Sequence, residues 1–247
     1  MPDEPVERGS RLGRVRGRRE TRLELAERIG DAYGLVLILI LITFVVMMTL
    51  PPEGWGGRVA AVAVAGLTAI IAFTSSDVRP ARVRLAIVVA AAAVVAAGIA
   101  ESASSLQLLG AAFGVVAILL AIAAVTILRR VLIGVSKVDF RTILGAISVF
   151  TLLGLIFAFL YFGFSRWSHS DFFTGVDQAR SSDYLFFSYT TLTTTGYGNL
   201  VPAGTLGQSF AVFEMLVGQI FLVTLVAGLV SLWRPSNTEA PADRAEA

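Results

Sequence analysis

Long apolar stretches recur along the chain, and they constrain its fold more than any other feature. The six stretches lie at about 35–50, 59–74, 84–100, 106–128, 142–164 and 206–233. A helix needs roughly 20 apolar residues to cross a bilayer, and flanking residues extend the shorter stretches to that length. Inside a bilayer the backbone must satisfy its own hydrogen bonds, as a helix does. The sequence therefore predicts an all-α membrane protein with six transmembrane helices.

The composition excludes several functional classes. Hydrophobic residues make up 55% of the 247 residues and charged residues only 15%, which is typical of a membrane protein and not of a soluble domain. The chain has no cysteine, and His169 is its single histidine, so thiolate metal sites and a Ser-His-Asp triad are not expected. We therefore expect no enzyme activity, no organic cofactor and no nucleic-acid binding.

Lysine and arginine are distributed unevenly among the segments that connect the apolar stretches. If both termini are cytoplasmic, the inner segments hold 17 of the 20 Lys and Arg residues and the outer loops hold three. Segments rich in Lys and Arg remain in the cytoplasm. The distribution predicts a multi-pass protein of the plasma membrane with both termini cytoplasmic. Its Ala-, Val-, Arg- and Gly-rich composition is typical of a bacterium with GC-rich DNA.

A short polar segment separates the last two apolar stretches. Residues 182–193 are rich in serine, threonine and aromatic side chains. They are too short to span a membrane, which indicates a re-entrant pore helix buried in protein. The run Thr193–Asn199 follows directly and contains Thr-x-Gly-Tyr-Gly. Gly196 and Gly198 accept the positive φ angles that other residues resist, so this backbone can alternate its handedness and point successive carbonyls in one direction.

This run and its position strongly resemble the pore domain of the tetrameric potassium channel family, over about residues 142–233. The resemblance implies rings of carbonyl oxygens that replace the hydration shell of K⁺, the transported ion. One filter copy in each chain implies a homotetramer in the membrane lipid. The positions that coordinate the ion in that family correspond here to Thr194, Thr195, Gly196 and Tyr197, with Gly198 at the outer mouth.

The inner helix after the filter carries further positions that match the family by spacing. Gly218 corresponds to the family's hinge, with a packing glycine as the alternative. Four side chains are then expected to face the pore, and the last three of them to form an apolar gate: Gln219, Leu222, Val226 and Val230. Simple packing of these residues in the helix bundle is the alternative.

Five residues are expected to support the filter, and several differ from the residue usual in the family. They are Thr190, Phe186, Phe187, Asn199 and Glu214. The family often has tryptophan at the two phenylalanine positions and aspartate after the second glycine, so the resemblance implies a filter with fewer hydrogen-bonded braces. The Thr195 hydroxyl is expected to find a partner at Thr190 or Thr191. Ser181 or Ser182 is expected to cap the pore helix.

Glu214 is an acid deep in an apolar stretch, where an ionisable side chain is costly and indicates a function. It lies five residues before Gln219, so about 140° away from the expected pore face on helix geometry. We expect it to hydrogen-bond the pore helix at Ser188, Thr190 or Thr191. A direct cation site is the alternative.

These features divide the chain into five regions: a cytoplasmic Arg-rich segment (1–34), a four-helix membrane region of unknown role (35–128), a cytoplasmic linker (129–141), the pore domain (142–233) and a cytoplasmic tail (234–247). Residues 106–128 contain no Lys or Arg, so no voltage sensor is expected in the fourth helix. The first four helices are a candidate docking region for an unidentified regulator.

The expected function is passive conduction of K⁺. The nearest alternative is a weakly selective Na⁺/K⁺ channel of the same fold. A membrane subunit of a potassium uptake transporter is a further alternative, although such proteins usually carry four diverged filter copies in one chain. A non-conducting membrane scaffold is the last.

Overall fold

The computed structural model describes residues 34–49, 55–74, 79–133, 140–168, 171–177 and 179–232. These residues form seven helices and no strand. The helices are α1 Gly34–Thr49, α2 Trp55–Thr74, α3 Pro80–Ser102, α4 Leu106–Ile133, α5 Phe140–Ser168, α6 Ser181–Leu192 and α7 Thr205–Leu232. The predicted all-helical fold is confirmed in this part of the chain, and the described residues of each apolar stretch lie in a helix. The predicted segments at 1–33 and 234–247, and the centre of the linker at 134–139, lie outside the described residues.

Five of the helices, α2 to α5 and α7, are long and apolar enough to cross a membrane. Helix α1 is shorter, with an apolar length of 16 residues from Gly34 to Thr49. Helix α6 has only 12 residues and lies between the two long helices α5 and α7. The chain is therefore a multi-pass membrane protein by helix length and composition.

Small side chains bring α2, α3 and α4 together. Helix α3 begins with proline at its first turn, where the missing N–H costs nothing. Its buried face is a stripe of alanines spaced three and four residues apart: Ala86, Ala90, Ala93, Ala97 and Ala100. Such residues let membrane helices approach closely. The helix ends in a tight connection to α4, where Ser104 has a φ of +52° and the Ser105 N–H donates to the Ala100 carbonyl at 2.9 Å.

Glycines produce the close crossing of α4 and α5. A Cβ built at Gly110 would lie 2.7 Å from the Gly163 carbonyl oxygen and 3.1 Å from the Trp167 nitrogen. A Cβ at Gly114, one turn later, would meet nothing within 4 Å. The pair of glycines in α4 therefore packs within the chain, and one of the two provides the closest approach.

We expect Gly110→Ala to destabilise the protein by about 1–3 kcal/mol, because the added methyl group would collide with backbone atoms that cannot rotate away. Thermal unfolding of the purified protein in detergent would measure the change. Gly114→Ala is the matched control, since its methyl group has open space within the chain. Equal melting temperatures for the two variants would contradict the close α4–α5 crossing.

Helix α1 packs beside the short helix α6. The rings of Phe44 on α1 and Tyr189 on α6 meet edge to face, with centroids 5.6 Å apart. The Tyr189 hydroxyl donates to the Thr151 carbonyl of α5 at 2.7 Å. A Cβ at Gly154 of α5 would lie only 2.8 Å from the same tyrosine ring. Tyr189 thus joins α6 to both α5 and α1, which places the first helix next to the candidate site.

Candidate functional site

The site is built on α6, whose start is capped by a carboxylate. Arg180 is the N-cap residue, and its backbone N–H donates to Asp183 Oδ2 at 2.8 Å. The expected capping by Ser181 or Ser182 was wrong, because both serines lie inside the first turn of the helix. Asp183 also places negative charge at the positive end of the helix, which is favourable.

The carbonyls of the last turn of α6 hold the segment that follows it. The Thr190 carbonyl accepts the backbone N–H groups of Thr195 at 2.8 Å and Gly196 at 3.1 Å. The Tyr189 carbonyl accepts two hydrogen bonds from Thr193, one from its backbone N–H at 3.0 Å and one from the Thr193 side-chain hydroxyl at 2.7 Å. The backbone of Thr193–Gly196 is therefore attached directly to the end of α6.

The sign of φ alternates along this segment. Thr194, Gly196 and Gly198 have φ angles of +57°, +51° and +77°, whereas Thr195 and Tyr197 do not have positive φ. The positive angles predicted for the two glycines are confirmed. The positive angle of Thr194 was not anticipated, because a β-branched residue is rarely found in this region. Such strain is found most often where a site requires it.

The side-chain contacts of Thr195 and Thr190 differ from those that the sequence predicted. The Thr195 hydroxyl lies 2.9 Å from the Thr193 hydroxyl, so its partner is neither Thr190 nor Thr191. The Thr190 hydroxyl instead donates to the Phe187 carbonyl within α6, at 3.0 Å. Thr190 supports the segment through its backbone carbonyl and not through its side chain.

The two phenylalanines of α6 have different surroundings. Phe186 stacks on Tyr197, with ring centroids 5.6 Å apart and an interplanar angle of 19°. Phe187 points into a buried aromatic cluster, 5.2 Å from both Tyr161 and Phe173. Within one chain, Phe186 is thus the residue that braces the tyrosine of the motif. Asn199 is exposed.

Among the residues of α7 whose burial the structure describes, the fully buried ones form one narrow stripe. Its buried residues are Gly207, Ala211, Glu214 and Gly218, at helical spacing. Gln219 and Val226 are exposed and Leu222 is half-buried. The Val230 side chain lies outside the described residues.

Gly218 lies where α7 passes the end of α6. A Cβ at this position would lie 2.5 Å from the Leu192 carbonyl oxygen and 2.8 Å from Leu192 Cδ1. Leu192 is the last residue of α6 and directly precedes Thr193. Glycine is required here by close approach of the two helices; α7 is continuous through this position.

Glu214 is completely buried and contacts two helices. Its Oε1 lies 2.5 Å from the Ser188 hydroxyl of α6, as the sequence predicted for that serine. Its Oε2 accepts the Tyr161 hydroxyl of α5 at 2.7 Å. Tyr161 was missed, although a tyrosine in an apolar span signals that its hydroxyl needs a buried partner.

Two comparisons with known proteins gave no match: neither a curated protein nor a solved structure is significantly similar to the chain. The third, with protein families, matched residues 145–234 to the ion channel family Ion_trans_2. The matched range contains α6, the segment with alternating φ, α7 and nearly all of α5. Residues 145–234 are therefore similar to an ion channel family, and this similarity covers the part of the chain that contains the candidate site.

Proposed function

We propose that four copies of this chain form a passive K⁺-selective channel, in which Thr194–Gly198 provide the selectivity filter. The observation that carries the proposal is the alternation of φ along this segment together with its attachment to the end of α6. An alternating backbone lets successive carbonyl oxygens point toward one axis, where they can replace the hydration shell of K⁺. The channel would move K⁺ down its gradient, with no chemistry and no organic cofactor.

The exposed surfaces of the single chain support a homotetramer. Residues 193–199 are all exposed, although the last turn of α6, which holds them, is half-buried at Tyr189 and Thr190 and buried at Thr191 and Leu192. In an apolar stretch of 18 residues within α7, only 17% of the residues are buried within the chain. Four chains around one axis would cover much of α7 and close the ring of filter segments. In this arrangement α6 is the re-entrant helix, and α1 to α5 with α7 are six membrane spans.

The same arrangement suggests how the channel is oriented and closed. Both termini would be cytoplasmic in a bacterial plasma membrane, and α7 would line the pore with Gln219, Leu222, Val226 and Val230, the last three as an apolar gate. Helix α4 carries cations only at Arg129 and Arg130, near its end, so it would not act as a voltage sensor. The first four helices would be the place where a regulator acts.

A weakly selective Na⁺/K⁺ channel is the second candidate, and one observation favours it. Tyr197 is held by stacking on Phe186, whose ring offers no hydrogen-bond donor. Stacking fixes the distance between two rings less strictly than a hydrogen bond fixes a hydroxyl. A filter braced in this way has more freedom to adapt to Na⁺.

Ion flux into liposomes that contain the purified protein tests these proposals. With opposed K⁺ and Na⁺ gradients, we expect K⁺ flux to exceed Na⁺ flux by more than about tenfold, the ratio that corresponds to about 1.4 kcal/mol. Tyr197→Ala is expected to lose this preference. Equal fluxes of the two ions would favour the weakly selective channel. Absence of flux from correctly assembled protein, under a range of stimuli, would favour a transporter subunit or a scaffold.

A further inference from the structure

A buried polar cluster joins the three helices of the pore region behind the filter. It contains Tyr161 of α5, Ser188 of α6 and Glu214 of α7, none of which is more than 1% exposed. The backbone carbonyl of Gly154 completes the cluster, 2.7 Å from the Ser188 hydroxyl. Its members lie outside the filter, yet they fix the pore helix against both of its neighbours.

The number of short oxygen–oxygen contacts in this cluster can be compared with the number of protons available to form hydrogen bonds. There are three short oxygen–oxygen contacts, from Glu214 to Tyr161, from Glu214 to Ser188, and from Ser188 to Gly154. Tyr161 and Ser188 each supply one proton, and the Gly154 carbonyl supplies none. If Glu214 were ionised, one contact would bring two acceptors together without a proton. A protonated Glu214 completes the set by donating to Ser188, which in turn donates to Gly154.

The surroundings of Glu214 also favour the neutral form. The side chains that hydrogen-bond to it, Tyr161 from α5 and Ser188 from α6, are both neutral. The other titratable group that interacts with it among the described residues is the phenol of Tyr189, also on α6. An ionised carboxylate without a cationic partner is costly to hold inside a membrane protein.

We propose that Glu214 is held in its protonated form and positions the pore helix by donating a hydrogen bond to Ser188. Ser188 directly precedes Tyr189 and Thr190, whose carbonyls hold the filter backbone. A shift of Ser188 therefore moves the two backbone carbonyls to which the filter segment is hydrogen-bonded. The positioning role rests on the proposed channel function, whereas the protonation state does not.

Infrared spectroscopy of the full chain in liposomes tests the protonation state without requiring flux. At neutral pH, we expect a C=O stretching band of a protonated carboxyl that is lost in Glu214→Gln. Glu101→Gln is the matched control and should keep the band, because Glu101 is paired with Arg58 at 3.0 Å. If Glu214→Gln removes no such band, the proposal is overturned.

Flux assays on the same variants test the positioning role. Glutamine offers a donor and an acceptor in the same places as a protonated glutamate, so Glu214→Gln should retain K⁺ selectivity at neutral pH. Ser188→Ala should lower the K⁺/Na⁺ flux ratio about tenfold, because the Glu214 carboxyl and the Gly154 carbonyl would both lose the Ser188 hydroxyl as a hydrogen-bond partner. Strongly alkaline pH should reduce K⁺ flux through the natural protein and through Glu101→Gln, which both keep the Glu214 carboxyl. It should not reduce flux through Glu214→Gln, which has no carboxyl to ionise there.

Two results of the flux assays would overturn the positioning role. One is loss of selectivity in an assembled Glu214→Gln protein, and the other is full selectivity in Ser188→Ala. If the natural protein carries no flux at all, the proposed channel function fails, while the infrared result still decides whether Glu214 is protonated.

Discussion

Replacement of Gly196 by alanine is expected to abolish K⁺-selective flux while the protein still assembles in the membrane. Gly196 has a φ of +51°, and nothing lies within 4 Å of a Cβ built there, so the cost arises from the backbone and not from a clash. A left-handed conformation costs an L-residue about 1–2 kcal/mol, and the proposed tetramer would incur that cost four times around one axis. The backbone relieves the strain by rotating, which turns a carbonyl away from the ion. Liposome flux under opposed K⁺ and Na⁺ gradients measures the loss.

Gly175→Ala is the matched control for this variant. Gly175 lies in the loop between α5 and α6 with a φ of +73°, and a Cβ there would also meet nothing within 4 Å. The two substitutions therefore impose a similar backbone strain at sites inside and outside the filter. We expect Gly175→Ala to keep its K⁺ selectivity. If both variants conduct with equal selectivity, Thr194–Gly198 is not the selectivity filter.

The positions of the helices could be predicted from the sequence because hydrophobicity along a membrane chain is a local property. Each apolar stretch forms its own backbone hydrogen bonds, so its helix does not depend on a distant partner. The helix bounds were less predictable: α3 begins at Pro80, and its first residues are too polar to stand out as part of an apolar stretch. The pairing of helices was not predictable, since it depends on matched surfaces such as Gly110 against Gly163.

The candidate site was predictable where the type of a single residue determines its own backbone conformation. Gly196 and Gly198 have the positive φ angles that glycine permits. The conformation of Thr194 was not predictable, because its strain is imposed by the turn at the end of α6. Contacts between distant segments were also missed: Tyr161 reaches Glu214 across 53 residues of sequence. In the sequence, such a pair is visible only as one polar side chain in each of two apolar helices, and nothing there indicates that the two side chains meet.

Replacement of Gly218 by alanine is the second change for which we expect a large effect. The methyl group would lie 2.5 Å from the Leu192 carbonyl oxygen, so α7 must move away from the end of α6. Overpacking of this kind costs typically about 1–3 kcal/mol for each chain. Since Leu192 lies two residues before the proposed filter segment, we expect both a lower melting temperature and a loss of K⁺ selectivity. Thermal unfolding in detergent and liposome flux measure the two effects.

Gly228→Ala distinguishes packing at Gly218 from a general effect of glycine in α7. A Cβ at Gly228 would meet nothing within 4 Å of the same chain, so the substitution should gain up to about 1 kcal/mol of helix stability instead of losing it. The two variants are thus expected to shift the melting temperature in opposite directions. A hinge at Gly218 without tight packing predicts a different pattern, because alanine would then stabilise a straight helix at both positions. A higher melting temperature for Gly218→Ala, with altered opening of the channel, would therefore favour the hinge over the contact with Leu192.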